Sequence, residues 1–199
     1  MTAGNPTRAA LLELQDERHA MREGYVFLDE KCLLLAGEML RQLQRHGALD
    51  AALQRAQEAA LAALHAAVAR HGVQGLQVLP PPRGHNAHVM VDNRSLMGVR
   101  LQEARWHAGA AEVPASVADS PESHACRRAF AALVEAAAPL AAVGGNLERL
   151  SREYRRSVRR ARALQDVLLP ALERDVAEIE TRLEELEQQD AIAMRRRAA

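Results

Sequence analysis

From Asn146 to Arg197 the chain contains no glycine and a single proline, Pro170, and its apolar residues keep a helical period throughout. At about 1.5 Å per residue a continuous helix of that length would reach roughly 75 Å, longer than a compact domain of this size is wide. Such a helix needs a partner along its length. Leu147, Leu150, Tyr154, Val158, Ala161, Leu164 and Leu168, then Leu172, Val176, Ile179, Leu183 and Leu186, alternate steps of three and four as a coiled-coil seam requires. The alternation is not strict, with Leu150, Tyr154 and Val158 two steps of four apart and Val158, Ala161 and Leu164 two steps of three; the longest irregularity is Leu164 to Leu168 to Leu172 and on to Val176, consecutive steps of four that relax left-handed supercoiling. Pro170 falls inside this irregular patch, where its ring and missing N–H force a bend or a lost hydrogen bond.

A second seam stands near the N-terminus: Leu11, Leu14, Met21, Tyr25, Leu28, Cys32, Leu35 and Met39, with Arg18 at one inward position. Two seams separated by a non-helical middle fold back as an antiparallel coiled coil. Gly24, Gly37 and Gly47 weaken the first helix by about 1 kcal/mol each against alanine without ending it. The pattern predicts one helix from about Thr7 to Arg70, stopped by His71, Gly72 and Gly75.

Aromatic residues are only 3% of the chain while alanine is abundant, which suits close helix approach better than one large core. The formal net charge of zero removes a whole-molecule argument for nucleic acid or membrane lipid, yet charge is segregated locally. Arg149, Arg152, Arg155, Arg156, Arg159, Arg160 and Arg162 crowd one segment. Glu173, Asp175, Glu178, Glu180, Glu184, Glu185, Glu187 and Asp190 crowd the next, before Arg195, Arg196 and Arg197. The bland reading of such runs is a solvated helix face. No apolar run is expected to approach the roughly 20 residues of a membrane span, and the N-terminus lacks the order of a signal peptide. Cys32 and Cys126 read as reduced structural thiols of a cytoplasmic protein.

Only the middle, Gly72 to Pro121, has strand character. Leu76, Val78 and Pro80 to Pro82 suggest a short extended piece ended by a stiff turn. His88 to Val91 and Ser95 to Leu101 are expected to pair as a β-hairpin around Asp92 and Asn93. Ser120 as N-cap with Pro121 at the first helical position opens the next helix, expected to kink or break at Pro139 and near Gly144 and Gly145. Trp106, beside His107, is expected to anchor packing there.

Signs of chemistry are missing. There is no Gly-Lys-Ser or Gly-Lys-Thr to cradle phosphate, and Gly144-Gly145-Asn146 reads as a helix break. His85 and His88 have ligand-like spacing but no third ligand. The expectation is no catalytic, cofactor-binding or metal-binding residue and no cofactor.

The residues carry a resemblance. Pro6, Thr7, Arg8, Leu11, Leu12 and Leu14, then Gly24, Tyr25, Val26, Phe27, Leu28, Asp29, Glu30, Lys31 and Leu33, are similar to the Pro-Thr-Arg opening and Gly-x-x-Leu-Leu-x-x-Lys segment of the D subunit of V-type (vacuolar and archaeal-type) rotary ATPases. Arg159 to Pro170 resembles that family's Arg-Arg-Val-Asn-Ala-Leu-Glu-x-x-x-Ile-Pro signature, with Arg162 in place of Asn and Gln165 in place of Glu. Asn93, Leu96, Met97, Gly98 and Val99 are similar to its Asn-x-x-x-Met-Gly-Val element. The fragments occur in family order across nearly the whole chain.

The resemblance implies a mainly α fold: a long antiparallel coiled coil of N- and C-terminal helices with a small loop and β-hairpin head in the middle of the chain. The expected division is a shaft helix over 1–71, a head over 72–121 and a C-terminal helical segment over 122–199. It implies the non-catalytic central-stalk rotor shaft of an ion-translocating rotary ATPase or ATP synthase, peripheral to the membrane through its complex and not inserted in it. Implied partners are the catalytic and nucleotide-binding ring subunits, the small central-stalk F subunit and a membrane-rotor adaptor, with no nucleic acid. Arg152, Arg155, Arg156, Arg159, Arg160, Arg162 and Pro170 are the candidate contacts to the ring, with the acidic residues from Glu173 to Asp190 as a second belt. The rival class is a generic coiled-coil scaffold or tether, which needs only the seams.

Overall fold

A computed structural model of the chain describes residues 7–77, 87–109 and 119–198. The element order is α1 (Arg8–Gln77), β1 (His88–Leu96), β2 (Val99–His107), α2 (Pro121–Ala163), a π turn (Leu164–Leu168) and α3 (Leu169–Ala198). The protein is mainly helical: two long helical runs pack together, and a β-hairpin stands between them in the chain. Met1–Leu34 with Tyr154–Ala199 forms one compact unit, and Leu35–Glu153 forms another.

In the first unit the two helices run antiparallel, and two ion pairs with a hydrogen bond between them record the register. Arg8 bonds Glu187 at 2.6 Å, Gln15 bonds Glu180 at 3.1 Å, and Arg22 bonds Glu173 at 2.7 Å. Each pair lies one heptad beyond the last, forward along α1 and backward along α3, as two helices sharing a seam must do. Beneath them Leu172 and Val176 are buried, while Leu11, Leu14, Met21, Tyr25, Leu28, Ile179 and Leu183 are half-buried. Gly24 faces Leu164: a Cβ added there would stand 3.8 Å from Leu164 Cδ1.

The double four-residue step is a π turn. The Leu169 N–H reaches back five residues to the Leu164 carbonyl. Pro170, which follows directly, has no N–H to give the Asp166 carbonyl, so the ladder is already interrupted there. The extra residue turns Leu168 outward, and it is 44% exposed; the seam leaves Leu168 and resumes at Leu172. Leu186 is also exposed.

In the second unit Leu35, Leu101, Val143 and Leu150 are almost wholly buried, joined by Val99 on β2. Each such side chain contributes about 1.5–3 kcal/mol by leaving water. Farther along α1 the buried residues are Ala60 and Ala67, small enough for close helix approach. α1 leaves helical geometry at Gly72, whose φ of 68° belongs to the left-handed region. The helix therefore breaks within the stretch His71 to Gly75, then resumes to Gln77. Ser120 caps α2: its Oγ accepts from the Ser123 N–H at 3.1 Å, and Ser123 Oγ accepts from the Ser120 N–H at 3.2 Å, a reciprocal capping box. His71 Nε2 lies 2.6 Å from the same Ser120 hydroxyl.

Three expectations need correction. The hairpin turn is not at Asp92 and Asn93, which sit inside β1 opposite Glu103 and Gln102. It is the two-residue loop Met97-Gly98, with φ of 48° and 84°, the positive pair that a tight hairpin matching strand twist demands. Of the kink or break expected at Pro139 and near Gly144 and Gly145, the break does not occur, and the helix is continuous from Pro121 to Ala163 with Pro139 inside it; the alanines around Pro139 favour helix, and Gly145 leaves room for the Arg149 guanidinium, 3.4 Å from where a Cβ would stand. Finally, the helical run Pro121–Arg197 contains an 18-residue stretch that is apolar enough, by length and composition only, to cross a membrane, a property that core helices of soluble proteins share. Its apolar character around Ala131 to Ala142 is mostly alanine, which raises hydropathy with little bulk. Val78, Pro80 to Pro82, His85 and Pro6 lie outside the described residues. Cys32 and Cys126 are half-buried free thiols.

Candidate functional site

The arginine run of α2 divides three ways. Arg149 folds back over Gly145, and its Nη2 donates to Asn146 Oδ1 at 2.7 Å; its role is internal. Arg152 is exposed and pairs with Glu148 one turn earlier, at 2.7 Å, a surface tie of about 0.3–0.5 kcal/mol that a stronger acidic partner displaces. Arg155, Arg156, Arg159, Arg160 and Arg162 are exposed, and among the described residues none has an acidic partner. Tyr154, Ser157, Val158 and Ala161 take the inward positions between them, with Ser157 fully buried.

Five free guanidiniums within roughly 10 Å of helix axis repel one another. Arg155 with Arg159 and Arg156 with Arg160 are like charges at i,i+4, each costing a few tenths of a kcal/mol. Glu153 and Asp166 flank the two ends of the cluster, and a face this rich in like charge is complementary to an acidic surface. Pro170 is half-buried at the start of α3, and its carbonyl accepts from Arg174 Nε at 3.1 Å.

The acidic stretch also divides. Glu173, Glu180 and Glu187 are committed to α1, and Glu178 pairs with Arg182 along α3. Asp175, Glu184, Glu185 and Asp190 are exposed. The apolar pattern does not single out Arg8, Gln15 and Arg22, although their heptad spacing, matched by Glu173, Glu180 and Glu187, is legible in the sequence.

The hairpin is fixed on both sides. From α1, the buried carboxylate of Glu38 accepts from Arg94 of β1, from Arg41 Nη2 at 2.7 Å and from Gln42 Nε2 at 2.8 Å. Burial pushes this carboxyl up, but the hydrogen bonds from Gln42, Arg41 and Arg94 outweigh it and hold the group below the usual carboxylate range. One heptad along α1, Arg45 meets Glu103 of β2 at 2.9 Å and holds that carboxyl low as well. From α2, the buried Asn146 side chain engages the Gln102 backbone.

Trp106 is half-buried and stands opposite Val89 in the ladder, an aromatic and β-branched cross-strand pair. The His88 and His107 rings lie 5.1 Å apart at the open end of the hairpin. Among the described residues no group of three histidine, cysteine or acidic side chains is placed to hold a metal ion.

The sequence profile that matches residues 10–197 is that of the ATP synthase D subunit. The A-type ATP synthase D subunit of Methanopyrus kandleri is 30% identical over 196 residues, covering 96% of this chain and 84% of its own length. The V-type ATP synthase D subunit of Anaeromyxobacter dehalogenans strain 2CP-C is 29% identical over 204 residues, covering 98% and 96%. The A-type ATP synthase D subunit of Pyrococcus horikoshii is 27% identical over 195 residues, covering 96% and 91%.

Proposed function

Because the chain belongs to the ATP synthase D subunit family, we propose that it is the central-stalk rotor shaft of a V/A-type ATPase, carrying torque between the ATP-hydrolysing ring and the membrane rotor. It performs no chemistry itself. Its partners are the catalytic and nucleotide-binding ring subunits, the small central-stalk F subunit and the membrane-rotor adaptor, and it reaches the membrane only through them. The observation that carries this reading is the antiparallel pair in which Arg8, Gln15 and Arg22 meet Glu187, Glu180 and Glu173 at heptad intervals. Two helices tied in one register resist twisting about their common axis better than one helix does.

The free arginines Arg155, Arg156, Arg159, Arg160 and Arg162, with Arg152 released from Glu148, are the contacts to acidic surfaces of the ring. Pro170 sits where the shaft meets that ring. Asp175, Glu184, Glu185 and Asp190 are the remaining members of the acidic belt. The test is Arg155→Ala combined with Arg159→Ala in the reconstituted ATPase. ATP hydrolysis should fall several-fold while the complex still assembles; unchanged hydrolysis would remove the arginine belt from the reading. Recovery of the chain only as its own dimer, from cells holding the intact ATPase, would favour the scaffold class instead.

A further inference from the structure

The two edges of the hairpin are treated differently. A two-residue loop makes Leu96 and Val99 the first hydrogen-bonded pair, and the unbroken register then alternates outward. Gln102 falls at a position whose backbone N–H and carbonyl point away from β1, and the Asn146 side chain fills both. By the same alternation, the N–H and carbonyl groups of Val89, Val91 and Asn93 point away from β2. Among the described residues nothing bonds them. The strand bearing them is exposed along nearly its whole length, with Val89, Met90 and Val91 between 45% and 52% exposed.

Edge strands in stable proteins are usually blunted by proline, lysine or a bulge. Between His88 and Leu96, β1 has no proline, lysine or bulge; its charged residues are Asp92 and Arg94, and Arg94 is drawn to Glu38. Asp92 stands opposite Glu103, a like-charged pair that weakens a ladder; Arg45 and Arg94 are spent on Glu103 and Glu38, and Arg105, the other cation on this face, also acts on Glu103.

We propose that the outer edge of β1 receives an extended strand from another protein of the assembly, one with three consecutive apolar residues beside Val89, Met90 and Val91 and a lysine or arginine beside Asp92. The added strand takes the free backbone groups of Val89, Val91 and Asn93, and its cation balances Asp92. A second copy of this chain fits less well. Antiparallel pairing of two β1 strands about Met90 would bring His88 to Asp92, but the His88 ring is already set against His107.

The test, which rests on the shaft reading for its choice of complex, is residue-resolved amide exchange on the full-length chain, alone and in the reconstituted ATPase, with recovery of the ring subunits and ATP hydrolysis checked separately. Exchange at Val89, Val91 and Asn93 should slow by about tenfold or more on assembly. Val91→Pro removes one outward N–H that the hairpin does not use, and Asp92→Lys turns the charge complement into repulsion. Both should abolish the added protection while ATP hydrolysis continues. Unchanged exchange in a complex that has assembled and hydrolyses ATP would overturn the proposal without touching the shaft reading. Protection appearing in the isolated chain and growing with its concentration would overturn it in favour of a second copy.

Discussion

The Asn146 side chain mimics a strand: its Oδ1 accepts from the Gln102 N–H and its Nδ2 donates to the Gln102 carbonyl, each at 2.7 Å. One amide thus replaces the backbone partner that β2 lacks, and it does so from a helix. Asn146→Ala leaves two backbone groups and Arg149 without that partner. The expected cost is about 2–3 kcal/mol in urea denaturation, with faster exchange at the Gln102 amide. A change under about 0.5 kcal/mol would mean that water replaces Asn146 without loss.

Glu38 makes stability depend on acidity. Its folded-state pKa is depressed, so its contribution is fully present above the unfolded value of about 4.3 and is lost as pH falls through the folded value. Denaturation midpoints should fall on acidification below about pH 4.3, and Glu38→Gln should flatten that fall. At neutral pH the same substitution should cost about 1–3 kcal/mol, below the range for fully buried pairs because Arg41 and Arg94 are largely exposed. An identical acid limb in both proteins would assign the effect to other carboxylates.

The heptad ion pairs set register more than stability. Arg22 and Glu173 are each about half exposed, so Arg22→Glu should cost no more than about 1 kcal/mol, and the swapped pair Arg22→Glu with Glu173→Arg should recover most of it. Val176→Ala, at a position only 2% exposed, should cost about 1–3 kcal/mol. Thermal melts ranking the three variants otherwise would mean that charge, not the seam, holds these helices.

Gly98→Ala tests the tight turn. With φ at 84°, a Cβ costs about 1–2 kcal/mol through backbone strain alone, since nothing lies within 4 Å to clash with it. Gly98→Asn should cost less, because asparagine tolerates this region. Equal losses in denaturation would point to a contact and not to the backbone.

The helices and their seams were legible because apolar period is a local signal that every turn repeats. The irregular step between Leu164 and Leu172 marked the place of the disturbance, though not that it takes the form of a π turn. The hairpin was legible as a hairpin, but Asp92 and Asn93 look like turn residues, and only the pairing of nine residues on each side of Met97-Gly98 decides against them. Met97 at positive φ is a choice that propensity would not make. Continuity through Pro139 and Gly145 depends on tertiary contacts, such as Arg149 lying over Gly145, that no local pattern encodes. The same holds for the division of the arginines into internal, self-paired and free: Arg149 and Arg155 look alike in sequence and differ only by what stands opposite them.

The wide turn at Leu164–Leu168 acts as a phase shifter. By absorbing one residue it holds back every later side chain by about 100° around the helix axis. Were the same sequence wound as an ordinary helix, the places that now face Arg22, Gln15 and Arg8 would be taken by Leu172, Ile179 and Leu186, and the seam would turn to solvent. The turn therefore behaves as an insertion held in place. Deleting one residue inside it would let the ladder close as α-helix with both faces of α3 kept, whereas the same deletion beyond Leu172 would exchange the charged and apolar faces from there onward.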